Sequence, residues 1–196
     1  AAQLLEANSD EVSRALTQLI RDEVDRVTAL IDRMEGFTDT RPLQMEPQNI
    51  HAILDHARSV AARGFGDNVV FKEVYDPSLP SVLGHRDSLV QVVINLLKNG
   101  IEAMAGVEKR ELSVATRPDE GGFLQITIRD TGPGMPPEVL EKLFQPFVTT
   151  KATGMGIGLT ICQSIVEAHG GHIFVLEDDL PGAGFRIRLP LPDGPE

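Results

Sequence analysis

The sequence is compatible with an α+β fold, because segments with the alternating pattern of β-strands follow segments with the helical repeat along most of the chain. Leu124, Ile126 and Ile128 alternate with polar residues in the stretch 123–129, which is typical of a strand with one buried face. Residues 88–105 place apolar side chains three and four positions apart, as an amphipathic helix does. Near the amino end, a long predicted helix with one apolar stripe forms a separate element ahead of this domain.

Composition restricts the classes of function that the chain can have. The chain has 196 residues, of which 41% are hydrophobic, so one substantial domain and an appendage can form a real core. The one cysteine, Cys162, provides neither a disulfide framework nor a cysteine-based metal cage, and suits a reducing cytoplasm. A formal net charge of −11 argues against binding to nucleic acid or to an anionic membrane surface. We see neither a membrane-spanning apolar run nor a signal peptide.

The amino end predicts a long helix over residues 11–35, with a capping box at 8–11 and Gly36 as its C-terminal cap. Its apolar seam comprises Val12, Leu16, Leu19, Ile20, Val24, Val27, Leu30, Ile31 and Met34. The seam lies near the coiled-coil repeat, so the helix needs a hairpin partner or a second copy of itself to bury it. Packing against its own globular domain is the alternative.

A proline-broken stretch, 40–47, separates this helix from the rest of the chain and marks the predicted domain boundary. Beyond it, apolar spacing predicts a helix over 50–63, and strand signals follow at 69–75 and 81–84. We interpret His51 and His56, on this first helix, as surface or packing residues.

The helix predicted over 88–105, with Asp87 as its N-cap, carries Asn95 and Asn99 one turn apart on the same face. Two amides are costly in an apolar helix unless they have partners. An amide oxygen is a hard, neutral ligand that suits Mg²⁺, which usually keeps several waters and phosphates. A pair of surface asparagines is the alternative.

A strand over 111–116 and a turn over 118–122 lead into the strand 123–129, which ends on Asp130-Thr-Gly-Pro-Gly134. The carboxylate is therefore held at a sheet edge, beside backbone with almost no side chain to obstruct a flat ligand. Such a carboxylate can accept a hydrogen bond from an exocyclic amine such as adenine N6. Taken alone, the pattern is more typical of a strand-to-turn junction.

The last third of the chain predicts a phosphate-binding loop. A short helix over 136–144 is followed by 145–153, a lid candidate, and by Gly154-Met-Gly-Ile-Gly158. Glycines before the helix 159–169 allow backbone N–H groups and the positive helix end to close on phosphates. The final strands are predicted at 172–177 and 184–189.

Two other phosphate sites fit this glycine run less well. No Gly-Lys-Ser/Thr follows it, so it is not a P-loop. A dinucleotide site is supported by Glu177 and Asp178, which lie at about the distance of a ribose-binding acid. The spacing G-x-G-x-G and the lack of a buried strand before the run both oppose it.

Three blocks now stand in order, 95–99, 130–134 and 154–158, with Phe144-Gln-Pro-Phe147 between the second and third. Their order and spacing resemble the N, G1, F and G2 boxes of sensor histidine kinases. These kinases belong to the wider ATPase superfamily that includes gyrase B subunits and MutL. The likeness covers residues 43–191. It implies a mixed β-sheet with helices packed on one face and a nucleotide held between helices and a flexible lid.

The resemblance also implies how the chain is divided. Residues 1–38 are similar to part of a dimerisation and phosphoacceptor hairpin, 39–46 to a linker, and 47–191 to a catalytic ATP-binding domain. The front half resembles nitrogen-regulation kinases of the NtrB type. The region from Ile101 to Gly171 is more similar to oxygen-sensing kinases of the FixL type. The residues leave the choice between the two open.

The residues implied to bind ATP are those that match the family boxes: Asn95, Lys98, Asn99, Asp130, Gly132, Gly134, Met135, Lys151, Gly154, Met155, Gly156, Ile157, Gly158 and Leu159. Asp130 would bind the adenine amine, and Asn99 would hold Mg²⁺ with possible support from Asn95. The glycines of the run would shape the phosphate contact of the lid. Lys98 or Lys151 could add a cation.

Two features depart from the family pattern. Gly100 follows Asn99 where the family usually has alanine, which slightly loosens the helix. The phosphoacceptor motif, a histidine followed by an acid, is absent, so no catalytic residue is assigned. None of the five histidines of the chain is followed by an acid; they are His51, His56, His85, His169 and His172.

The function that follows is transfer of the ATP γ-phosphoryl group to a histidine of a dimerisation hairpin, in a cytoplasmic two-component kinase. The expected partners are ATP, a response regulator and a second copy of the chain joined through residues 11–35, with no nucleic acid and no membrane contact. One alternative is a topoisomerase or mismatch-repair ATPase of the same superfamily. Another is a nucleotide-dependent interaction module that catalyses nothing as it stands.

Overall fold

The structure is a computed structural model that describes residues 43–66, 68–149, 156–178 and 180–192. The predicted helix over 11–35 and the proposed hairpin over 1–38 lie outside the described residues, as do Lys151, Gly154 and Met155. No helix in the described part of the chain is both long enough and apolar enough to cross a membrane.

Four helices and seven strands are formed by the described residues. The helices are α1 (Ile50–Gly64), α2 (Arg86–Ala103), α3 (Pro137–Leu140) and α4 (Gly158–Ala168). The strands are β1 (Glu46–Gln48), β2 (Val70–Val74), β3 (Val82–Gly84), β4 (Glu111–Asp119), β5 (Phe123–Asp130), β6 (His172–Leu176) and β7 (Gly184–Pro190).

Five of the strands form one mixed sheet in the order β2-β4-β5-β7-β6. β2 runs parallel to β4, and the other neighbouring pairs are antiparallel. β1 and β3 form a separate antiparallel pair in which Glu46 lies opposite Gly84. In the five-stranded sheet, β5 is central, and its last residue, Asp130, lies opposite Leu112 of β4.

The core lies between the sheet and the helices. α2 packs against β4 and β5, α4 packs against β6, and α1 packs against α2. Inward-facing residues of the strands alternate with polar ones, so Leu124, Ile126 and Ile128 are all buried. The opposite face of the sheet carries arginines of β4, β5 and β7. This arrangement confirms the predicted α+β fold with a mixed sheet.

Three local predictions were wrong in detail. α2 begins at Arg86, and its N-cap is His85, whose Nδ1 accepts a hydrogen bond from the Ser88 N–H, so Asp87 lies inside the first turn. β4 continues through Pro118, where a turn was expected. Proline is tolerated there because β2 pairs with β4 only as far as Ala115, which leaves one edge of β4 unpaired. The helix predicted over 136–144 is confined to α3.

Candidate functional site

The carboxylate of Asp130 lies at the carboxyl end of β5 and is only 4% exposed. Its Oδ1 accepts hydrogen bonds from the backbone N–H of Gly132 at 2.8 Å and of Ala183 at 3.1 Å. Burial raises the pKa of Asp130, although the two N–H groups and the charge of Arg129 act in the opposite direction. The backbone thus holds Oδ1 in place, and neither of these two N–H groups binds Oδ2.

The second oxygen of Asp130 faces the backbone of α2. A Cβ atom built on Gly100 would lie 3.4 Å from Asp130 Oδ2 and 3.2 Å from Asp130 Cβ. A Cβ built on Gly132 would lie 2.9 Å from Asp130 Oδ1 and 3.1 Å from the Ala103 carbonyl oxygen. Glycine backbone therefore packs against the carboxylate on two sides, where a larger side chain would have little space.

Gly134 and Met135 complete the turn after β5. Gly134 has a φ of +79°, in the region that favours glycine, and a Cβ there would approach the Gly182 carbonyl oxygen at 3.5 Å. Met135 is half-buried beside it. The Asp130–Gly134 segment therefore turns back over the loop that joins β6 and β7.

The amides of α2 lie on the helix as predicted, one turn apart and half-buried. The thiol of Cys162 on α4 donates a hydrogen bond to the Val92 carbonyl oxygen of α2 at 3.8 Å. The neighbouring Asn95 amide lowers the pKa of this thiol, but burial outweighs it and raises the pKa of Cys162 to about 12. Asn95 thus lies at the contact between α2 and α4, and Asn99 lies one turn farther along α2.

Lys98, which was expected to supply a cation, faces a carboxylate of its own helix. Its Nζ lies 3.8 Å from Oε1 of Glu102, and the side chain is 42% exposed. An exposed pair of this kind is weak, so Lys98 remains able to turn toward an anion.

The end of the glycine run is held against the first residues of the lid candidate. The Phe147 N–H donates to the Gly156 carbonyl oxygen at 3.0 Å, and the Thr160 hydroxyl donates to the Phe144 carbonyl oxygen at 3.1 Å. Gly156 has a φ of +66°, and a Cβ there would lie 2.6 Å from backbone atoms of Val148. Only glycine therefore permits this closure at the base of the loop.

α4 begins directly after this closure, with buried Ile157 as its N-cap and Gly158 and Leu159 as its first residues. No side chain of the described residues caps this helix end. Because the first backbone N–H groups of a helix have no partner inside the helix, this end can bind an anion.

Sequence reasoning missed the loop between β6 and β7. Asp130 and Ala183 are 53 residues apart, yet Ala183 binds Asp130 through both its N–H and its carbonyl oxygen. Gly182 has a φ of +85°, and a Cβ there would overlap the carbonyl oxygen of Asp130. The signal was the stretch Pro181-Gly-Ala-Gly184, which contains more glycine than a simple turn requires.

Two of the five histidines, His169 and His51, have structural roles. His169 Nε2 accepts a hydrogen bond from the His85 N–H at 2.9 Å, and His169 Nδ1 donates to the Ile165 carbonyl oxygen at 2.7 Å. Burial lowers the pKa of His169, which favours this neutral form. His169 thereby joins the end of α4 to the start of α2. His51 packs in parallel against the ring of Tyr75, which agrees with its interpretation as a packing residue.

A family model described as "Histidine kinase-, DNA gyrase B-, and HSP90-like ATPase" matches residues 84–193. The chain belongs to this ATPase family. The match begins just before α2 and includes Asp130, the base of the lid and the loop between β6 and β7.

Relatives of this ATPase-family chain are sensor kinases. The chain is 44% identical to the sensory histidine kinase/phosphatase NtrB of Rhizobium meliloti, over 99% of this chain and 54% of that protein. It is 34% identical to the sensor protein FixL of Bradyrhizobium diazoefficiens, over 95% of this chain and 37% of that protein. The chain therefore spans about half the length of the first of these relatives and about a third of the second.

Solved structures of sensor kinases share the fold. The histidine kinase ThkA, in complex with the response regulator protein TrrA, superposes with a TM-score of 0.71 at 26% identity. This match covers 88% of this chain and 49% of ThkA. Both the relatives and this structure agree with the sensor-kinase resemblance of the sequence.

Proposed function

We propose that the chain binds ATP between α2, α4 and the end of β5, and that it donates the γ-phosphoryl group as the catalytic part of a sensor histidine kinase. The observation that carries the proposal is the Asp130 carboxylate. Two backbone N–H groups hold one of its oxygens, and its other oxygen faces glycine backbone. The kinase relatives support the reaction, and the ATPase family supports the ligand.

Adenine fits the Asp130 site by charge and by shape. Asp130 Oδ2 can accept a hydrogen bond from an exocyclic amine, whereas guanine presents a carbonyl oxygen at the equivalent ring position. Gly100, Gly132 and Gly134 leave flat backbone around the carboxylate, which suits a planar base. The site would therefore favour ATP over GTP.

The phosphates would be held by the loop and by the ends of helices. The uncapped N-terminus of α4 offers backbone N–H groups, and Gly154, Gly156 and Gly158 would let the lid approach the phosphate chain. Lys98 or Lys151 would add a cation. Met135, Met155, Ile157 and Leu159 would line the nucleotide as apolar neighbours.

Asn99 would hold Mg²⁺ through its amide oxygen, and Asn95 would support the metal or the phosphates. The donor set fits this ion, because Mg²⁺ accepts neutral oxygen ligands and keeps phosphates and waters in its shell. When bound, Mg²⁺ would neutralise charge that develops on the phosphates. The protein side chains then have only to position the nucleotide.

The acceptor would be a histidine of a dimerisation hairpin, and this chain contains no histidine followed by an acid. Residues 11–35 would pair with the hairpin and with a second copy of the chain. A response regulator would receive the phosphoryl group, as the complex of ThkA with TrrA suggests by analogy. We place the protein in the cytoplasm on the basis of its single cysteine.

Titration with a fluorescent ATP analogue, with and without Mg²⁺, tests the proposal. We expect saturable binding that is strengthened by Mg²⁺ and competed by ATP more effectively than by GTP. Equal competition by the two nucleotides would contradict the adenine assignment, and an absence of binding would contradict the proposed function.

A further inference from the structure

The loop between β6 and β7 contacts the end of β5 from both faces of the sheet. On the outer face, Asp178 forms an ion pair with Arg129. On the inner face, the Ala183 N–H donates to Asp130 Oδ1, and the Ala183 carbonyl oxygen accepts from the Asp130 N–H. Because consecutive residues of a strand point to opposite faces, one loop holds Arg129 and Asp130 simultaneously.

Contacts inside the loop connect these two attachments. Asp178 Oδ1 accepts a hydrogen bond from the Leu180 N–H at 3.2 Å, while its Oδ2 faces Arg129. Two residues after Leu180, Gly182 approaches the Asp130 backbone so closely that a Cβ would overlap its carbonyl oxygen. A shift of the loop would therefore move the Ala183 N–H away from the carboxylate.

We propose that Asp178 is a positioning residue for adenine recognition, because its pairing with Arg129 anchors the loop that fixes Asp130 Oδ1. This inference rests on the proposed function, since it assigns a role in binding the same nucleotide. With Oδ1 fixed, Oδ2 keeps a constant direction toward the ligand. Without the anchor, the carboxylate would sample several orientations and bind the adenine amine less well.

In the Arg129–Asp178 pair the arginine is largely shielded from water, whereas the aspartate lies at the surface. The Arg129 side chain is 15% exposed and that of Asp178 is 40% exposed. Partial burial reduces the screening that makes most surface pairs weak. The arginine is also held by the sheet on either side of β5, so it offers a rigid anchor for the loop.

A second pair on the same face gives a matched control. Asp119 also accepts a backbone N–H with Oδ1, from Glu120 at 2.9 Å, and faces an arginine, Arg188, with Oδ2 at 2.7 Å. This pair lies at the other end of β5, beside the turn between β4 and β5. Asp178→Asn and Asp119→Asn each remove an ion pair and leave an amide oxygen to accept the local N–H.

The first measurement needs no nucleotide and so does not depend on the proposed function. Hydrogen exchange of the Ala183 amide reports whether its bond to Asp130 persists. We expect Asp178→Asn to accelerate this exchange by about tenfold and Asp119→Asn to leave it within about twofold. Unchanged exchange at Ala183 in folded Asp178→Asn protein would overturn the inference even if ATP binding proceeds as proposed.

The second measurement is the preference for ATP over GTP. Asp178→Asn should reduce this preference by about three- to tenfold, which is a typical size for the coupling between contacting residues. Asp119→Asn should leave the preference unchanged. In an Asp130→Asn background, Asp178→Asn should have no further effect, because it acts through Asp130. An undiminished effect in that background, or an equal effect of Asp119→Asn, would overturn the positioning role.

Gly182→Ala provides a second way to displace the same loop. The added Cβ has no space beside the Asp130 carbonyl oxygen, so the loop must move whether or not the ion pair remains. We expect faster Ala183 exchange and a reduced ATP preference, as for Asp178→Asn. A folded Gly182→Ala protein with unchanged selectivity would show that the loop does not position Asp130.

Discussion

Asp130→Asn separates recognition of adenine from the stability of the fold. The asparagine Oδ1 can still accept the N–H groups of Gly132 and Ala183, so the local backbone contacts remain. The Nδ2 group then replaces Oδ2 beside Gly100 and presents a donor to the amine of the ligand, which is also a donor. Burial raises the pKa of Asp130, so ionisation opposes folding near neutral pH, and loss of the charge should not destabilise the protein.

The expected loss follows from leaving buried polar groups unmatched. The cost is about 1–3 kcal/mol, which corresponds to about a 5- to 150-fold decrease in the preference for ATP over GTP. The pH dependence of ATP affinity provides an independent test of the role of Asp130. Protonation removes the acceptor, so ATP affinity of the parent protein should fall as pH is lowered through the raised pKa of Asp130. In Asp130→Asn protein that part of the pH dependence should vanish.

Competition of ATP and GTP against a fluorescent ATP analogue, at several pH values, provides both quantities. Asp87→Asn is a matched control, because it makes the same acid-to-amide change on a side chain that is 83% exposed. The control should retain the ATP preference. An unaltered preference in Asp130→Asn protein, with a pH dependence like that of the parent, would refute the reasoning.

Three further changes test other parts of the account. Asn99→Ala should weaken Mg-ATP binding far more than thermal stability, and unchanged Mg-dependent affinity would exclude Asn99 from the site. Gly100→Ala should gain less than the roughly 1 kcal/mol that alanine usually gives a helix, because its Cβ would lie 3.2 Å from Asp130 Cβ. A full gain in the free energy of unfolding would contradict this crowding of the added Cβ. Residues 11–35 should drive self-association, since each buried apolar side chain of the seam contributes roughly 1.5–3 kcal/mol. Sedimentation of the full chain and of one starting at Arg41 measures this, and monomers at high concentration for both would oppose it.

Periodicity predicted most of the elements that surround the site. The alternation in β5 and the helical repeat in α2 depend on residues close in sequence, so the sequence alone indicated which face of each would be buried. Asp130 was predicted as a ligand residue because a strand, a carboxylate and a glycine turn are adjacent in the chain and two further blocks accompany them. The same holds for the start of α4, which follows the glycine run directly.

Contacts between distant residues could not be found in this way. Nothing in local patterning indicates that Ala183 binds Asp130, because that contact depends on how β7 pairs with β5. The cap of α2 was misassigned for a related reason. His85 is held by His169 from α4, and this tertiary bond sets where the helix begins. Gly100 looked like a small loss of helix propensity, yet it borders the Asp130 carboxylate.

Phosphoryl transfer in trans is the most direct test of the central claim, that this chain is the ATP-binding and donating part of a sensor kinase. Transfer needs an in-line nucleophile beside the γ-phosphate, and this chain has no histidine followed by an acid. Incubated alone with γ-labelled ATP, the chain should remain unlabelled. Addition of a separate hairpin that carries a histidine-acid motif should give weak, acid-labile and base-stable label on that hairpin, because the tether is missing. Acid-labile, base-stable label on this chain alone, or an unlabelled hairpin despite bound ATP, would contradict the account.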